Sequence, residues 1–428
     1  MKSVICDMLG IEFPLVAFTH CRDVVVEVSK AGGFGVLGAV DHTPESLEIE
    51  LDWIDEHIDG KPYGVDLIVP TSMSDKGGSM TAEDLRARIP EGHKRHVEEL
   101  LASNGIDTKG LWDSRIGDDF TENIRESGAA LIMDVAFKHP IKMIVNALGV
   151  PPRSMLDRAK ENGVLTGALT GAREHAIKHA DAGVDILVVA GTEAGGHCGE
   201  VSTLVLVPEV IESLKEHGAD LPVLAAGGIV TGRQMAACMA MGAAGAWTGS
   251  VWLTTSEAET DPVIKEKYLA ASSRQTVRSR GRTGKYTRQL RSPWTDAWMN
   301  PDSPDPLPMP LQMLLSGPAL DRVDKLAAIG DPGARQLATY FVGQGVGLMN
   351  ATVSARTVVY DFMKDFAEAS EHLGGILDDS CTVTNKLCRV RSYSNSARIC
   401  SRITNFCILP VTVIGNSSTK RTWRGILK

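Results

Sequence analysis

The chain has 428 residues, 43% hydrophobic and 23% charged, with a formal net charge of −9. Such a composition supplies a large globular core, and the acidic balance argues against nucleic acid or an anionic membrane surface as the main partner. No apolar run approaches the ~18 residues of a membrane span, the first residues lack the apolar stretch of a secretory signal, and eight cysteines without close pairs are expected of a reduced, cytoplasmic protein.

Short β-branched runs alternate with helical stretches. Strands are expected over residues 14–18, 34–38, 63–69, 130–137, 164–169, 185–190, 222–226 and 245–249. Most are continuous apolar runs without alternation, as strands covered on both faces are. Val24, Val25 and Val28 stand at helical spacing over 21–31, and Gly32-Gly33 stops that helix. Thr43-Pro44-Glu45-Ser46 supplies an N-cap and a proline for the first helical turn. Residues 71–129 are too long and polar for one connection; with a cap-like Thr81-Ala82-Glu83-Asp84 they are expected to form a helical excursion. Further helices are expected over 173–182, ending at Gly183, and 231–241, ending at Gly242.

Eight such β-α units closing on themselves make an α/β fold, a TIM (β/α)8 barrel over residues 1–250, with a doubly wound open sheet as the rival. Residues 251–345 carry a basic cluster at 274–291, five prolines within 301–310, and Gly343-Gln344-Gly345-Val346-Gly347. A smaller lid or substrate domain is expected there, followed by a C-terminal helix over 346–378 that returns to the barrel. Residues 379–428 differ in kind, with nine Lys or Arg against one acid, four cysteines and no helical period. Without a C-x-x-C pair, a disordered basic appendage is the expectation.

The sequence Gly191-Thr192-Glu193-Ala194-Gly195-Gly196-His197-Cys198-Gly199-Glu200 follows the sixth expected strand. A titratable imidazole on a glycine-rich loop at the carboxyl end of a barrel strand is placed for general acid–base work. Ala225-Ala226-Gly227-Gly228-Ile229 and Trp247-Thr248-Gly249-Ser250 end the next two strands. Loops at those positions of a barrel often bind phosphate through backbone N–H groups. Gly33-Phe34-Gly35-Val36-Leu37-Gly38 matches a dinucleotide fingerprint, but a helix precedes it and a strand contains it, the reverse of what that site requires. His175 and His179 share a helix face without the glutamate of a metalloprotease motif and read as solvated; no metal site is expected. Ser279-Arg280-Gly281-Arg282-Thr283-Gly284-Lys285 reads equally as an anion-closing turn and as a solvated one.

Together these motifs, with Ala31-Gly32-Gly33-Phe34-Gly35 upstream, resemble the nitronate monooxygenase family, and the pairing of E-A-G-G-H with A-A-G-G-I also marks its sister group, the flavin-dependent enoyl-acyl-carrier-protein reductases. The similarity runs from about Pro14 to about Gly375. It implies a TIM barrel with a smaller second domain and a non-covalent FMN. His197 matches the active-site histidine. Gly195 and Gly196 would face the flavin. Gly227, Gly228 and Ile229 would hold its phosphate, joined by Trp247, Thr248, Gly249 and Ser250. Asp66 stands where the family often has an asparagine on the flavin, and Gln344 lies near the ring. The usual Pro-Met pair after the first strand is replaced by Ala17-Phe18-Thr19-His20. The implied reaction is oxidation of an alkyl nitronate or nitroalkane by O2 to a carbonyl compound and nitrite. The alternatives are an NADH-dependent enoyl-thioester reductase and a non-catalytic FMN-binding barrel.

Overall fold

A computed structural model describes residues 3–69 and 80–378. Its centre is a closed barrel of eight parallel strands: β1 (Leu15–Thr19), β2 (Phe34–Gly38), β3 (Tyr63–Leu67), β4 (Met143–Asn146), β5 (Leu165–Thr170), β6 (Ile186–Ala190), β8 (Val223–Ala226) and β9 (Gly245–Thr248), with β9 closing onto β1. The strand missing from that order, β7 (Gly196–His197), belongs to a three-stranded antiparallel sheet with β10 (Thr276–Ser279) and β11 (Thr287–Leu290). The architecture is thus the TIM barrel expected from the alternation of apolar runs and helical stretches.

The barrel interior is packed by inward side chains from successive strands, among them Val16, Phe34, Val36, Met143, Val145, Ile186, Val188, Leu224 and Trp247. Ile5, Cys6 and Leu9 of the helix Val4–Leu9 join this cluster, and the Ser3 hydroxyl donates to the carbonyl of Ala244, just ahead of β9. That helix therefore plugs the amino-terminal mouth, leaving the carboxyl-terminal end for ligands. The opposite faces of the strands pack on the surrounding helices, which is why their sequences are apolar without alternation.

Several local expectations hold. Thr43 caps the helix Pro44–His57 by accepting from Ser46 N–H, and Thr81 and Asp84 form a reciprocal capping box on Ala82–Arg86. The helix Arg173–Ala182 ends on Gly183 at φ 88°. The described part of the excursion is helical: Ala82–Arg86, Glu91–Ser103, Asp118–Asn123 and Glu126–Ala136 lie between β3 and β4.

One strand was misplaced. Residues 130–137 fall in the helix Glu126–Ala136 and its cap, and the fourth barrel strand is Met143–Asn146. The burial pattern gives the reason. Ala129, Ile132, Met133, Val135 and Ala136 are buried while Ser127, Leu131 and Asp134 are exposed, a 3.6-residue period that a short apolar run hides. The four-residue strand is followed directly by a turn and was too short to stand out.

Residues 251–345 form the helices Pro262–Ala270, Pro293–Met299, Leu311–Ala328 and Pro332–Leu337 around the β10–β11 hairpin. Their Trp294, Leu315 and Val323 share one hydrophobic cluster with Val207, Leu214 and Met235 of the barrel helices. The last helix is Ala355–Asp378; Phe362 lies against Gly232, and Asp365 pairs with Arg233 at the start of the helix Gly232–Ala240. Contacts group Met1–Glu371 into one compact unit. The expected appendage, 379–428, lies outside the described residues. No helix among the described residues is long and apolar enough to cross a membrane.

Candidate active site

The loops after β6, β8 and β9 meet at the carboxyl-terminal end of the barrel, joined by the segment around Gln344. Glu193, in the loop after β6, accepts from the N–H and hydroxyl of Thr203 at 2.9 and 3.0 Å. The same hydroxyl lies 3.0 Å from the Ala226 carbonyl and 3.2 Å from that of Gly227, and Gly191 N–H donates to Ala226 at 3.1 Å. The Glu193 carbonyl accepts from Gln344 N–H at 2.9 Å, and Gly343 N–H donates to Ser250 Oγ at 2.8 Å. Gly195, Gly227, Gly228, Ser250 and Gln344 are thereby brought into one cluster, although they come from four separate stretches of sequence.

Two glycines show why this loop set needs its sequence. Gly227 and Gly228 both have positive φ, 108° and 68°, so the chain doubles back after β8 in a conformation that L side chains resist. A Cβ on Gly227 would sit 2.5 Å from Thr203 Oγ1, and one on Gly228 would sit 2.9 Å from Glu193 Cβ. Gln234 holds the turn: its Nε2 donates to the Gly228 carbonyl at 2.9 Å and its Oε1 accepts from Val230 N–H at 2.8 Å. The N–H groups of Gly228, Ile229 and Gly249 donate to no protein acceptor among the described residues. Exposed backbone donors on glycine turns next to a helix N-terminus form an anion cradle. The space above Gly196, at φ 73°, is open, with nothing within 4 Å of a built Cβ.

His197 stands at the edge of this cluster. It sits on β7, opposite Thr287 of β11, and its Nε2 lies 3.0 Å from Thr283 Oγ1. The residue is open to solvent in a recess that protein surrounds on most sides. That surrounding protein, and secondarily the Lys285 ammonium, push the imidazole down to about 4. Solvent at the ring limits the shift; its direction leaves a neutral imidazole at neutral pH.

Asp66 projects from β3 into the upper barrel, in register with Gly38 and Val145. It is 4% exposed, its Oδ2 has no hydrogen-bond partner, and burial raises its carboxyl well above the usual range. An orphaned carboxyl at the site end of a strand is a protonated donor with no protein acceptor. Phe18, from the unusual Ala17–His20 stretch, stacks on Trp247 at 6.0 Å between ring centroids, and His20 Nδ1 reaches the Gly38 carbonyl at 3.1 Å. The Trp247 side chain thus fills the barrel. Thr248 Oγ1 donates to the Val16 carbonyl at 3.0 Å and accepts from Trp252 Nε1 at 3.1 Å, so its side chain is committed to the protein and only its backbone is left for a ligand. Ile229 is buried, again leaving its backbone.

Other sequence candidates resolve differently. Gly33–Gly38 runs into β2 after the helix Arg22–Lys30, as the rejection of the dinucleotide motif required. The expected solvated face holds for His175 only. His179 is 1% exposed, its Nδ1 is unpartnered, and burial lowers it to about 4, because the helix Arg173–Ala182 turns that position inward. The 279–285 segment is not a solvated turn: Gly281, Thr283 and Gly284 are buried, and only Lys285 is exposed. Glu193, Thr203, Gln234 and Thr283 were not assigned as site residues from sequence. Glu193 carried a signal as an acid inside the glycine-rich loop, and Thr283 lay in the 279–285 segment that also read as an anion-closing turn.

The model of the family described as nitronate monooxygenase matches residues 2–365. The chain belongs to the nitronate monooxygenase family. A Mycobacterium tuberculosis protein with a provisional monooxygenase name is 52% identical over 383 residues, spanning 88% of this chain and all (100%) of that relative. The structure of nitroalkane oxidase from Streptomyces ansochromogenes is similar with a TM-score of 0.70 at 25% identity, covering 87% of this chain and 100% of that one. FabK from Thermotoga maritima is similar with a TM-score of 0.62 at 25% identity, covering 88% and 99%. Membership of the nitronate monooxygenase family makes the protein an oxidoreductase acting on a small molecule.

Proposed function

We propose that the protein is an FMN-dependent nitronate monooxygenase that oxidises alkyl nitronates, or nitroalkanes after deprotonation, with O2 to carbonyl compounds and nitrite. The observation that carries the proposal is the union, at one barrel mouth, of the unspent backbone donors of Gly228, Ile229 and Gly249 with the neutral imidazole of His197. The donors fit a terminal phosphate monoester, and the open face of Gly196 fits a flat ring. Gly195 and Ser250 hold the loops in place, Asp66 supplies a protonated carboxyl where an amide would otherwise donate, and Gln344 borders the same space. When bound, FMN supplies the electron-transfer and oxygen chemistry.

The protein's own part is acid–base and electrostatic. A neutral His197 accepts the α-proton of a nitroalkane, and positive charge beside the developing anion comes from Lys285. The Gly-rich walls exclude side chains from the ring face, so a small substrate approaches it without steric competition.

The sister-group reading, an NADH-dependent enoyl-thioester reductase, is favoured by the likeness to FabK. One anaerobic experiment separates them. The FMN-loaded protein is mixed with propionate 3-nitronate and, separately, with NADH. Rapid bleaching by the nitronate supports the proposal. Bleaching by NADH alone refutes it in favour of the reductase, and bleaching by neither favours the non-catalytic barrel. In addition, His197→Asn is expected to lower kcat/KM for neutral nitroalkanes by about 10²–10⁴-fold while FMN stays bound. Unchanged turnover would remove His197 from the base role.

A further inference from the structure

We infer that Thr283 is a positioning residue that fixes the tautomer of His197, placing the proton on Nε2 and leaving Nδ1 as the atom that accepts the substrate proton. The inference rests on the acid–base role proposed above for His197.

The geometry is a count of donors and acceptors around one hydroxyl. Thr283 Oγ1 lies 3.0 Å from His197 Nε2, 3.2 Å from the Lys285 carbonyl and 3.3 Å from Lys285 N–H. A threonine hydroxyl has one proton to give and two lone pairs to receive with. Lys285 N–H can only donate and the Lys285 carbonyl can only accept. If the hydroxyl proton goes to that carbonyl, one lone pair receives Lys285 N–H and the other must receive a proton from Nε2. All four groups are then satisfied. If the hydroxyl instead donates to Nε2, the Lys285 carbonyl loses this partner and one lone pair on Oγ1 stays empty. Thr283 is 2% exposed whereas the His197 ring meets solvent, so it is the hydroxyl that must find its partners within the protein, and the first arrangement, which fills both of its lone pairs, wins by about one hydrogen bond. Nδ1 makes no hydrogen bond to protein among the described residues, so it is the ring nitrogen left for substrate.

The hydroxyl is also rigidly held. The turn carrying it lies between β10 and β11, and β11 is the strand that pairs with His197. Gln312 Nε2 donates to the Gly281 carbonyl at 2.9 Å, Ser316 Oγ donates to the Arg282 carbonyl at 2.6 Å, and Arg280 donates to the carbonyls of Gly284 and Pro306, each at 3.1 Å. Gly284, at φ 85°, sits so close to Leu307 that a Cβ would be 2.2 Å from its carbonyl oxygen. A hydroxyl on so fixed a turn sets the ring's orientation as well as its proton. The cost of the wrong tautomer in a histidine-based site is large because the lone pair then faces away from the substrate.

The test has two readouts. In 15N-histidine-labelled FMN enzyme near neutral pH, the shifts of the two ring nitrogens distinguish their protonation. His197, assigned by its loss in His197→Asn, is expected to carry its proton on Nε2. A proton on Nδ1 in the wild-type enzyme overturns the inference without any threonine variant. Thr283→Val should lower kcat for a nitroalkane on the order of 10–100-fold with KM within about twofold and change the His197 shifts, while Thr283→Ser restores both. Val and Ser variants that both match the wild type in kcat and in His197 shifts also overturn it. A wild-type enzyme with the Nε2 tautomer but no nitronate turnover would instead count against the proposed reaction and leave the positioning result standing.

Discussion

Replacing Gly227 by alanine isolates the contribution of the cradle after β8. The new Cβ meets two problems. At φ 108° the backbone lies beyond even the left-handed helical well, a strain of about 1–3 kcal/mol for an L residue. The Cβ also falls 2.5 Å from Thr203 Oγ1 and 3.1 Å from Gly191 N, neither of which is the tip of a flexible side chain. Moving the Thr203 hydroxyl breaks its charged hydrogen bond to Glu193, a loss of about 1.5–3 kcal/mol. Together these come to roughly 2.5–6 kcal/mol, borne by the loops that would hold the phosphate. At about 1.4 kcal/mol per tenfold, FMN affinity should fall by about two to four orders of magnitude, measured by quenching of flavin fluorescence on titration into apoprotein. Gly60→Ala is the matched control: its φ is 69°, nothing lies within 4 Å of the added atom, and it is far from the site. It should lower stability by about 1 kcal/mol and leave FMN binding unchanged. If Gly227→Ala binds FMN as the wild type does, the cradle has been assigned to the wrong turn.

Two predictions concern pH. His179 is buried as the neutral form, lowered from 6.5 to about 4, so below pH ~6.5 the unfolded chain takes up a proton that the folded chain refuses. Wild-type stability should therefore drop by on the order of 3 kcal/mol, relative to His179→Leu, as pH falls from 7 to 4, and the difference should level off below that; parallel urea-unfolding curves would refute it. Asp66 has the opposite sign: its folded pKa is raised, so its stabilising contribution is full at low pH and is lost as pH rises past the unfolded carboxyl value. Asp66→Asn should raise the Tm of the apoprotein at pH 7.5 relative to pH 4, and equal shifts at both would show the carboxyl ionised in the fold.

Much of the barrel was legible because its strands are buried on both faces and so stand out as apolar runs between glycine-stopped helices. The same feature misled at 130–137, where an amphipathic helix carries a dense apolar stretch, and hid the four residues of Met143–Asn146. In the site, Gly227 and Gly228 could be found because positive φ leaves a mark in composition. The bond between His197 and Thr283 joins residues 86 apart, and that between the Glu193 carbonyl and Gln344 N–H spans a still longer stretch of chain; neither pairing has a local signature. Burial decided His179 against its expected exposure, since a weakly amphipathic helix gives little warning of which face turns inward.

The strand carrying His197 is paired with residues that come some ninety positions later, in β11. This bears on how the enzyme is made. During synthesis the eighth barrel strand is complete at Thr248, well before β10 and β11 have left the ribosome. A nascent chain at that stage has all eight barrel strands but lacks both the partner of the histidine strand and the Gly343–Gln344 segment that ties Glu193 and Ser250 together. Acquisition of a positioned imidazole is therefore a late step, set by emergence of the 276–290 hairpin, and a chain cut short between 250 and 276 lacks the strand that orders its base.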